Sequence, residues 1–176
     1  MSAGAASTLS GYVLRPLSDA DRDALADLLA DDGGYSLRVN GRPAVDRDAA
    51  SVLTDRPHGT ADEQHHVLAL ERDGRLDAVA VVMTDWPDVG TNHVALLQVR
   101  GAFHGRGLGR LLHDVVVARL GGARTWRLSV VDDNAVALGF WEALGYQRSG
   151  EVGEWRNRAG EPHLARVLLR DAVHAR

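Results

Sequence analysis

The stretch that decides the fold reads Val99-Arg-Gly-Ala-Phe-His-Gly-Arg-Gly-Leu-Gly109. A valine-containing strand runs into a glycine-dense turn, and a helical pattern over residues 108–120 begins at once. The first amides of a helix have no partner inside the helix and carry the positive end of its dipole. Because glycines let a phosphate approach such amides closely, this turn is typical of a phosphate cradle, with Arg106 and Arg110 adding charge at its edge.

The spacing of these glycines argues against the common nucleotide cradles. A dinucleotide fingerprint needs G-x-G-x-x-G, and here Gly105 and Gly107 are followed by Arg110 where the third glycine is required. A P-loop needs glycine and lysine at positions that this stretch does not supply. A tight strand–helix turn without a ligand is the alternative interpretation.

The rest of the chain predicts a mixed α+β fold. Hydrophobic periodicity and turn signals give the order β-α-α-β-β-β-α-β-α-β-β. The predicted strands are 12–16, 66–71, 76–83, 93–99, 124–131, 146–155 and 164–169, and the predicted helices are 18–29, 45–53, 108–120 and 134–144. Hairpin strands followed by one βαβ unit favour a mostly antiparallel sheet of six or seven strands flanked by about four helices.

Length and composition restrict the class of protein. The 176 residues fit one domain, predicted over residues 11–176 after a loose tail at residues 1–10. There is no cysteine, which excludes disulfides and a cysteine nucleophile. A net charge of −4 does not require a nucleic-acid partner, and no apolar run is long enough for a membrane span. The composition fits a cytoplasmic protein. We expect no metal site, since the adjacent histidines His65 and His66 lack metal-ligand spacing.

A second motif reads Asn134-Ala-Val-Ala-Leu-Gly-Phe-Trp-Glu-Ala-Leu-Gly-Tyr146. Together with the loop His104-Gly-Arg-Gly-Leu-Gly109, it resembles the GCN5-related N-acetyltransferase (GNAT) family. The loop resembles the family's pattern [Gln/Arg]-x-x-Gly-x-[Gly/Ala], and the second motif resembles N-x-x-A-x-x-x-[Y/W]-x-x-x-G-[F/Y]. The resemblance covers roughly residues 12–169 and includes the spacing of the motifs and the order of the elements.

The resemblance implies a splayed central sheet that binds acetyl-CoA as the acyl donor. Main-chain groups at the end of the central strand would bind the pantetheine arm, and the loop amides would bind the pyrophosphate. Asn134 would contact the pantetheine or the acyl end, although it is also a plain candidate for starting a helix. The residues expected at the cofactor are Leu97, Gln98, Val99, His104, Gly105, Arg106, Gly107, Leu108, Gly109, Arg110, Asn134 and Trp141.

Two positions depart from the family's pattern. His104 stands where the family carries glutamine or arginine, so it either contacts phosphate or is a surface histidine. Trp141 stands where many members carry a tyrosine that protonates the leaving thiolate, and an indole N–H is not a usable acid. We therefore expect Trp141 to pack in the core or against the cofactor. With a thiol pKa near 8.5, the CoA sulfur can leave as a thiolate at neutral pH.

The resemblance implies N-acetyl transfer to a primary amine by direct attack, and the base for this reaction is not evident. The predicted central strand His93-Val-Ala-Leu-Leu-Gln-Val99 has no glutamate, which serves as the base in many relatives. A histidine or carboxylate can accept the amine proton, often through water. The candidates are His93, Asp85 and Asp88, each of which could equally be a plain loop residue.

The resemblance also places an acceptor pocket between the first two helices and the last hairpin. Tyr35, Trp86 and Trp155 are candidates for its apolar lining. The aspartates between residues 19 and 32 either attract a cationic amine or form a solvated helix face. A small-molecule acceptor, such as an amino acid, a polyamine or an aminoglycoside-like drug, is favoured over a protein amino group because no extra docking element is visible.

Three further expectations stay open at the level of sequence. A non-catalytic CoA-binding sensor is the first alternative to an enzyme, because both the tyrosine and the strand glutamate are missing. A domain that binds another nucleotide is the second. The third is a homodimer, which the resemblance allows because family members often dimerise through their late strands, and residues 167–169 are candidates for an apolar sheet edge there.

Overall fold

The sheet of this protein runs in the order β1-β2-β3-β4-β5-β7-β6. The computed structural model describes residues 10–172, so the predicted tail lies outside the described residues except for Ser10. The strands are β1 Val13–Pro16, β2 His65–Arg72, β3 Arg75–Met83, β4 Thr91–Val99, β5 Thr125–Val131, β6 Gln147–Arg156 and β7 Pro162–Asp171. The α-helices are α1 Arg22–Ala30, α2 Tyr35–Asn40, α3 Asp46–Thr54, α4 Leu108–Arg119 and α5 Ala135–Ala143. No helix in this part of the chain combines the length and apolarity that a membrane crossing needs.

The predicted fold class is confirmed. All neighbouring strands pair antiparallel except β4 and β5, which are the parallel strands of the single βαβ unit. The structure has one helix more than predicted, because α2 is only six residues long and gives no periodic signal. The flanking glycines Gly34 and Gly41 both adopt left-handed backbone angles, with φ of 83° and 71°, and set the two ends of α2.

Two hydrophobic cores cover the two faces of the sheet. On one face, α4 and α5 pack over a core that includes the fully buried Trp126 and Tyr146. On the other face, α1 and α3 pack over Val79 and its neighbours. In α4, the residues Leu108, Leu112 and Val116 are buried, and Leu111 and Val115 are half-buried. Each side chain on β4 therefore faces one helical layer or the other.

The centre of the sheet is split. β4 and β5 pair only from Thr91–Val94 against Thr125–Leu128, whereas β5 continues along β7 as far as Val131. Opposite β3, Val94 pairs with Val82 and Leu96 pairs with Val81, so Ala95 is an extra residue in a β-bulge. A bulge bends its strand, and here the bend coincides with the point where β4 leaves β5. The last five residues of β4 therefore have a sheet partner on only one side.

The prediction that residues 167–169 form an edge of the sheet is wrong. β7 lies between β5 and β6 and pairs with both, and Val167 and Leu168 are buried. On this side of the sheet the edge strand is instead β6, in which nearly every residue is exposed. The sequence prediction failed because apolar residues show that a strand is covered by other elements and do not show whether it lies at the edge of the sheet.

Candidate functional site

Three adjoining cavities lie around the split in the sheet. The loop cavity, about 400 Å³, lies between the end of β4, the glycine-rich loop and α5. The wedge cavity, about 270 Å³, lies inside the split between β4 and β5. The hairpin cavity, about 330 Å³, lies between α2, α3 and the β6–β7 hairpin. Tyr35 lines all three, and Gln98 lines both the loop cavity and the hairpin cavity, so the three cavities are immediate neighbours.

The loop cavity gathers the residues that the two motifs predicted. Of the twelve residues expected at the cofactor, all except Arg106 line it. Gly107 begins α4 with a left-handed φ of 85°, and the helical bonds start only with the amide of Leu111, which donates to the Gly107 carbonyl. The amides of residues 108–110 therefore have no partner in the helix. A Cβ added to Gly105 would meet open space, so the backbone here is accessible to a ligand. This geometry fits an anion cradle.

The end of β4 offers main-chain hydrogen-bonding groups to the loop cavity. The amide of Arg100 donates to the Asp77 carbonyl of β3, at 2.9 Å. Because successive residues of a strand alternate their main-chain groups between its two edges, Val99 and Leu97 direct theirs away from β3. β5 has left β4 by this point, so that edge has no sheet partner. An extended molecule with amide groups can pair there as an additional strand.

His104 closes one of these open groups. Its Nε2 lies 2.8 Å from the Val99 carbonyl oxygen, which can only accept, so the ring donates this hydrogen bond. The ring packs so closely on Gly33 that a Cβ there would lie 2.5 Å from the His104 Cε1. His104 thus braces the strand end and the loop between α1 and α2. In this geometry its donor is used within the protein and does not point at an anion.

Arg100 fixes the same strand end from the other face. Its side chain is buried and contacts three carboxylates, Asp27 at 2.8 Å, Asp31 at 3.4 Å and Asp77 at 3.3 Å. The amide of Gly101 also donates to the Asp31 carbonyl at 2.7 Å. Part of the aspartate-rich first helix region therefore serves to hold α1 against the start of the glycine-rich loop. None of its aspartates lines the hairpin cavity.

Asn134 and Trp141 belong to both the loop cavity and the wedge cavity. The Asn134 Oδ1 accepts from the amide of Ala137 at 3.2 Å and caps α5. Trp141 is buried and makes edge contacts with Phe140 and Tyr146, with ring centroids at 4.9 and 5.3 Å. The indole therefore packs in the core and also forms part of the cavity wall.

Of the three candidate bases, His93 and Asp85 are placed differently. His93 lines the wedge cavity, and its Nδ1 accepts from Arg127 Nη1 at 3.2 Å. Burial, with the positive charge of Arg127 second, lowers the His93 pKa to about 4. The ring is therefore neutral near pH 7 and carries its proton on Nε2, which makes it a hydrogen-bond donor and a weak base. Asp85 lies outside all three cavities and accepts from the Gly90 amide at 2.7 Å, within its own turn.

The other loop candidates also lie away from the cavities. Asp88 lines none of them, and Trp86 packs at the edge of His93 instead of lining the hairpin cavity. Tyr35 and Trp155 do line the hairpin cavity, as expected. Burial and the nearby charge of Asp32 raise the Tyr35 pKa, so its phenol keeps its proton at neutral pH.

The hairpin cavity contains functional candidates that sequence reasoning missed. Gln98 is buried, its side chain faces the α1–α3 layer, and its Nε2 has no hydrogen-bond partner within residues 10–172. Asp48, Arg156 and Arg158 form a charged part of the wall. Nothing in the local sequence marks these residues, because α3 and the β6–β7 hairpin meet only in the folded chain.

A split, mostly antiparallel sheet with an anion cradle at the start of a helix beside the split defines a class of ligand-binding α+β proteins. The chain belongs to the acetyltransferase (GNAT) family, whose sequence model matches residues 24–146, more than half of the chain. The resemblance read from the two motifs is thereby confirmed, and membership implies acyl transfer with acetyl-CoA as the family's usual co-substrate.

Solved structures give the same fold. An acetyltransferase from Thermus thermophilus superposes with a TM-score of 0.73 at 21% identity, covering 92% of this chain and 97% of that one. The ribosomal-protein-S18-alanine N-acetyltransferase from Escherichia coli gives a TM-score of 0.66 at 19% identity, covering 94% and 98%. A GCN5-related N-acetyltransferase from Kribbella flavida gives 0.64 at 21% identity, covering 92% and 98%. Comparison with curated proteins gives no significant match.

Proposed function

We propose that this protein transfers an acetyl group from acetyl-CoA to a primary amine of a small molecule, by direct attack in a ternary complex. The proposal rests on one observation. The open edge of β4 adjoins an anion cradle on one side and, at Gln98, a second cavity on the other. A donor and an acceptor can therefore occupy separate cavities and meet at the split, which is the arrangement that direct transfer requires.

The cofactor side would be held largely by the backbone. The free main-chain groups of Leu97 and the amide of Val99 would pair with the pantetheine arm, and the loop amides, including those of residues 108–110, would hold the pyrophosphate. Arg110 lies at the rim of the loop cavity and would add charge there. Arg106 and the cavity-lining Asn134 stay predictions as cofactor contacts. The cofactor supplies the thioester carbon that the amine attacks.

On the acceptor side, the amine must reach the split in its neutral form, although an alkylammonium has a pKa near 10. His93 can orient water in the wedge cavity through its Nε2–H, and its lowered pKa makes it a weak proton acceptor. Asp85 as a base stays a prediction that needs a water path from outside the cavities. Trp141 donates no proton to the leaving sulfur, which departs as a thiolate or is protonated by water.

The first test of this proposal is thermal unfolding with acetyl-CoA, CoA, ATP and NAD. A ligand at one hundred times its Kd stabilises the folded state by about 2.7 kcal/mol. For a chain of this length, that corresponds to a rise in Tm of roughly 5–10 °C. A rise with acetyl-CoA and CoA alone supports the proposal and is followed by a screen of amines for thiol release. No rise at saturating CoA contradicts it, and a rise with ATP or NAD instead indicates another nucleotide-binding domain.

A CoA-binding sensor without catalysis is the second candidate, and the environments of Trp141 and His93 favour it, since neither supplies a strong acid or base. It predicts a rise in Tm with CoA and no thiol release with any amine. We further propose that residues 11–176 act as one acetyltransferase domain. A cytoplasmic location and a homodimer stay predictions, the latter now without the edge that the sequence suggested.

A further inference from the structure

The charged part of the hairpin cavity is centred on Asp48. Its carboxylate is buried and accepts from Arg42 Nη2 at 2.8 Å and Nη1 at 2.9 Å, and from the Val45 amide at 3.0 Å. Arg158 also contacts the same carboxylate. Two guanidinium groups thus share one negative charge, which leaves one positive charge uncompensated. Of the two arginines, only Arg158 lines the cavity.

A second cation on the same wall has no acidic partner. Arg156 donates to the Gly160 carbonyl at 2.9 Å and pairs with no carboxylate in the described part of the chain. Besides Asp48, the cavity wall contains one other carboxylate, Asp55 at the end of α3. The wall itself thus contains two arginines and two carboxylates. Arg42 behind the wall already pairs with Asp48. Only Asp55 is therefore left to balance Arg156 and Arg158, and one positive charge remains. Such an excess of positive charge attracts an anion.

The reacting group would lie where the hairpin cavity adjoins the loop cavity. Gln98 lines both cavities, and its buried Nε2 has no hydrogen-bond partner among the described residues. The wall of the hairpin cavity also includes the apolar side chains of Val52, Leu96 and Trp155. A ligand that spans the cavity can therefore have its reacting end beside Gln98 and an anionic end at the arginines.

We infer that the acceptor is an amino-acid-like molecule, which carries a carboxylate or a similar oxyanion as well as its primary amine. The anionic group binds to Arg158 and Arg156, and the amine reaches the split beside Gln98. Guanidinium groups bind planar oxyanions through paired hydrogen bonds, so the site selects for such a group. This inference rests on the proposed function. In the reaction, the neutral amine nitrogen bonds to the acetyl carbon and the carbon–sulfur bond breaks. The proton lost from the nitrogen goes to solvent, and the CoA thiolate leaves and can take up a proton from water to become the thiol.

The test uses matched pairs of acceptors. Primary α-, β- and γ-amino acids are compared with their carboxamides, which keep the amine and lose only the negative charge. We expect kcat/KM, measured by thiol release from acetyl-CoA, to be at least about tenfold higher for the preferred carboxylate than for its amide, as loss of a charge-assisted hydrogen bond predicts. Equal or weaker turnover of the carboxylates, or response to neither series, overturns the inference.

Variants connect the preference to the arginine. Arg158→Gln should reduce kcat/KM for the carboxylate about 10- to 100-fold and reduce kcat/KM for the carboxamide much less, because the amide accepts only a neutral hydrogen bond from the guanidinium. The variant should fold, because Asp48 keeps the paired bonds from Arg42 and the Ala159 amide still donates to the Asn40 carbonyl at 3.2 Å. The control Arg22→Gln removes the same charge from an exposed pair with Asp19, away from the three cavities.

Binding of the cofactor separates this inference from the proposed function. If CoA raises the Tm of both Arg158→Gln and the unaltered protein, and the unaltered protein prefers the amides, the inference is wrong and the function stands. If CoA does not raise the Tm of the unaltered protein, the proposed function itself is wrong. An Arg158→Gln variant that retains the full preference for carboxylates excludes this arginine and overturns the inference as stated.

Discussion

Replacing Gln98 with leucine should make the free protein more stable and the enzyme less active. Gln98 is 5% exposed, and its Nε2 has no hydrogen-bond partner in the structure. A buried donor without a partner costs about 1–3 kcal/mol, and leucine has a similar size without that cost. Taking about 1–2 kcal/mol, the expected rise in Tm is roughly 2–8 °C for a chain of this length.

Activity should change in the opposite direction. If the Gln98 amide contacts the acceptor or the thioester at the split, its loss removes one hydrogen bond from the reacting complex. We expect kcat/KM to fall about tenfold, which corresponds to about 1.4 kcal/mol. The assays are thermal unfolding of the free protein and thiol release with the best acceptor.

Gln64→Leu is the matched control. The Gln64 side chain donates to the Thr84 carbonyl at 3.0 Å and accepts from the Ala61 amide at 2.9 Å, so both ends of this amide are satisfied. The same chemical change should therefore lower the Tm there and leave kcat/KM unaltered. A lower Tm for Gln98→Leu with unchanged kcat/KM would refute the reasoning, because it would mean that Gln98 is satisfied in solution by groups that play no part in the reaction.

Three further predictions concern the loop and the wedge cavity. Gly33→Ala should lower the free energy of unfolding, measured in urea, by at least about 1–2 kcal/mol, because φ at this residue is +62° and the new Cβ would strike the His104 ring. The loss should be smaller when His104 is also replaced by alanine, and equal losses would contradict the contact. His93→Gln should leave the pH dependence of kcat/KM unchanged above about pH 6, because burial holds the His93 pKa at about 4 and the ring takes up a proton only as the pH falls toward that value. If the variant instead lost a fall in kcat/KM that the unaltered enzyme shows below about pH 6.5, His93 would be the base. Trp141→Tyr should lower the Tm by a few degrees, because the smaller ring loses part of the packing against Phe140 and Tyr146. It should change kcat less than about tenfold, since the thiolate leaves without an acid at neutral pH, and a rise of about a hundredfold would show that the native site lacks a needed acid.

The motifs could be found from the sequence because their geometry is local. The glycines of the loop and the start of α4 lie within a few residues of one another, so their spacing alone predicts free helix amides and close backbone approach. Hydrophobic periodicity likewise gave every strand and four of the five helices, because these elements are long enough to repeat their pattern. It missed α2, although Tyr35 of that short helix lines all three cavities.

The sequence by itself thus determined the fold class, the family and most of the residues that line the loop cavity. Only the tertiary structure decided the acceptor side. The contact between Arg158 and Asp48 joins residues 110 positions apart, and that between Arg100 and Asp27 joins residues 73 apart. No local pattern encodes such pairs, nor the insertion of β7 between β5 and β6, nor which way Gln98 faces after the bulge at Ala95. These features depend on how the strands and helices pack, because a side chain acquires a distant partner only when the element that carries it meets the element that carries the partner.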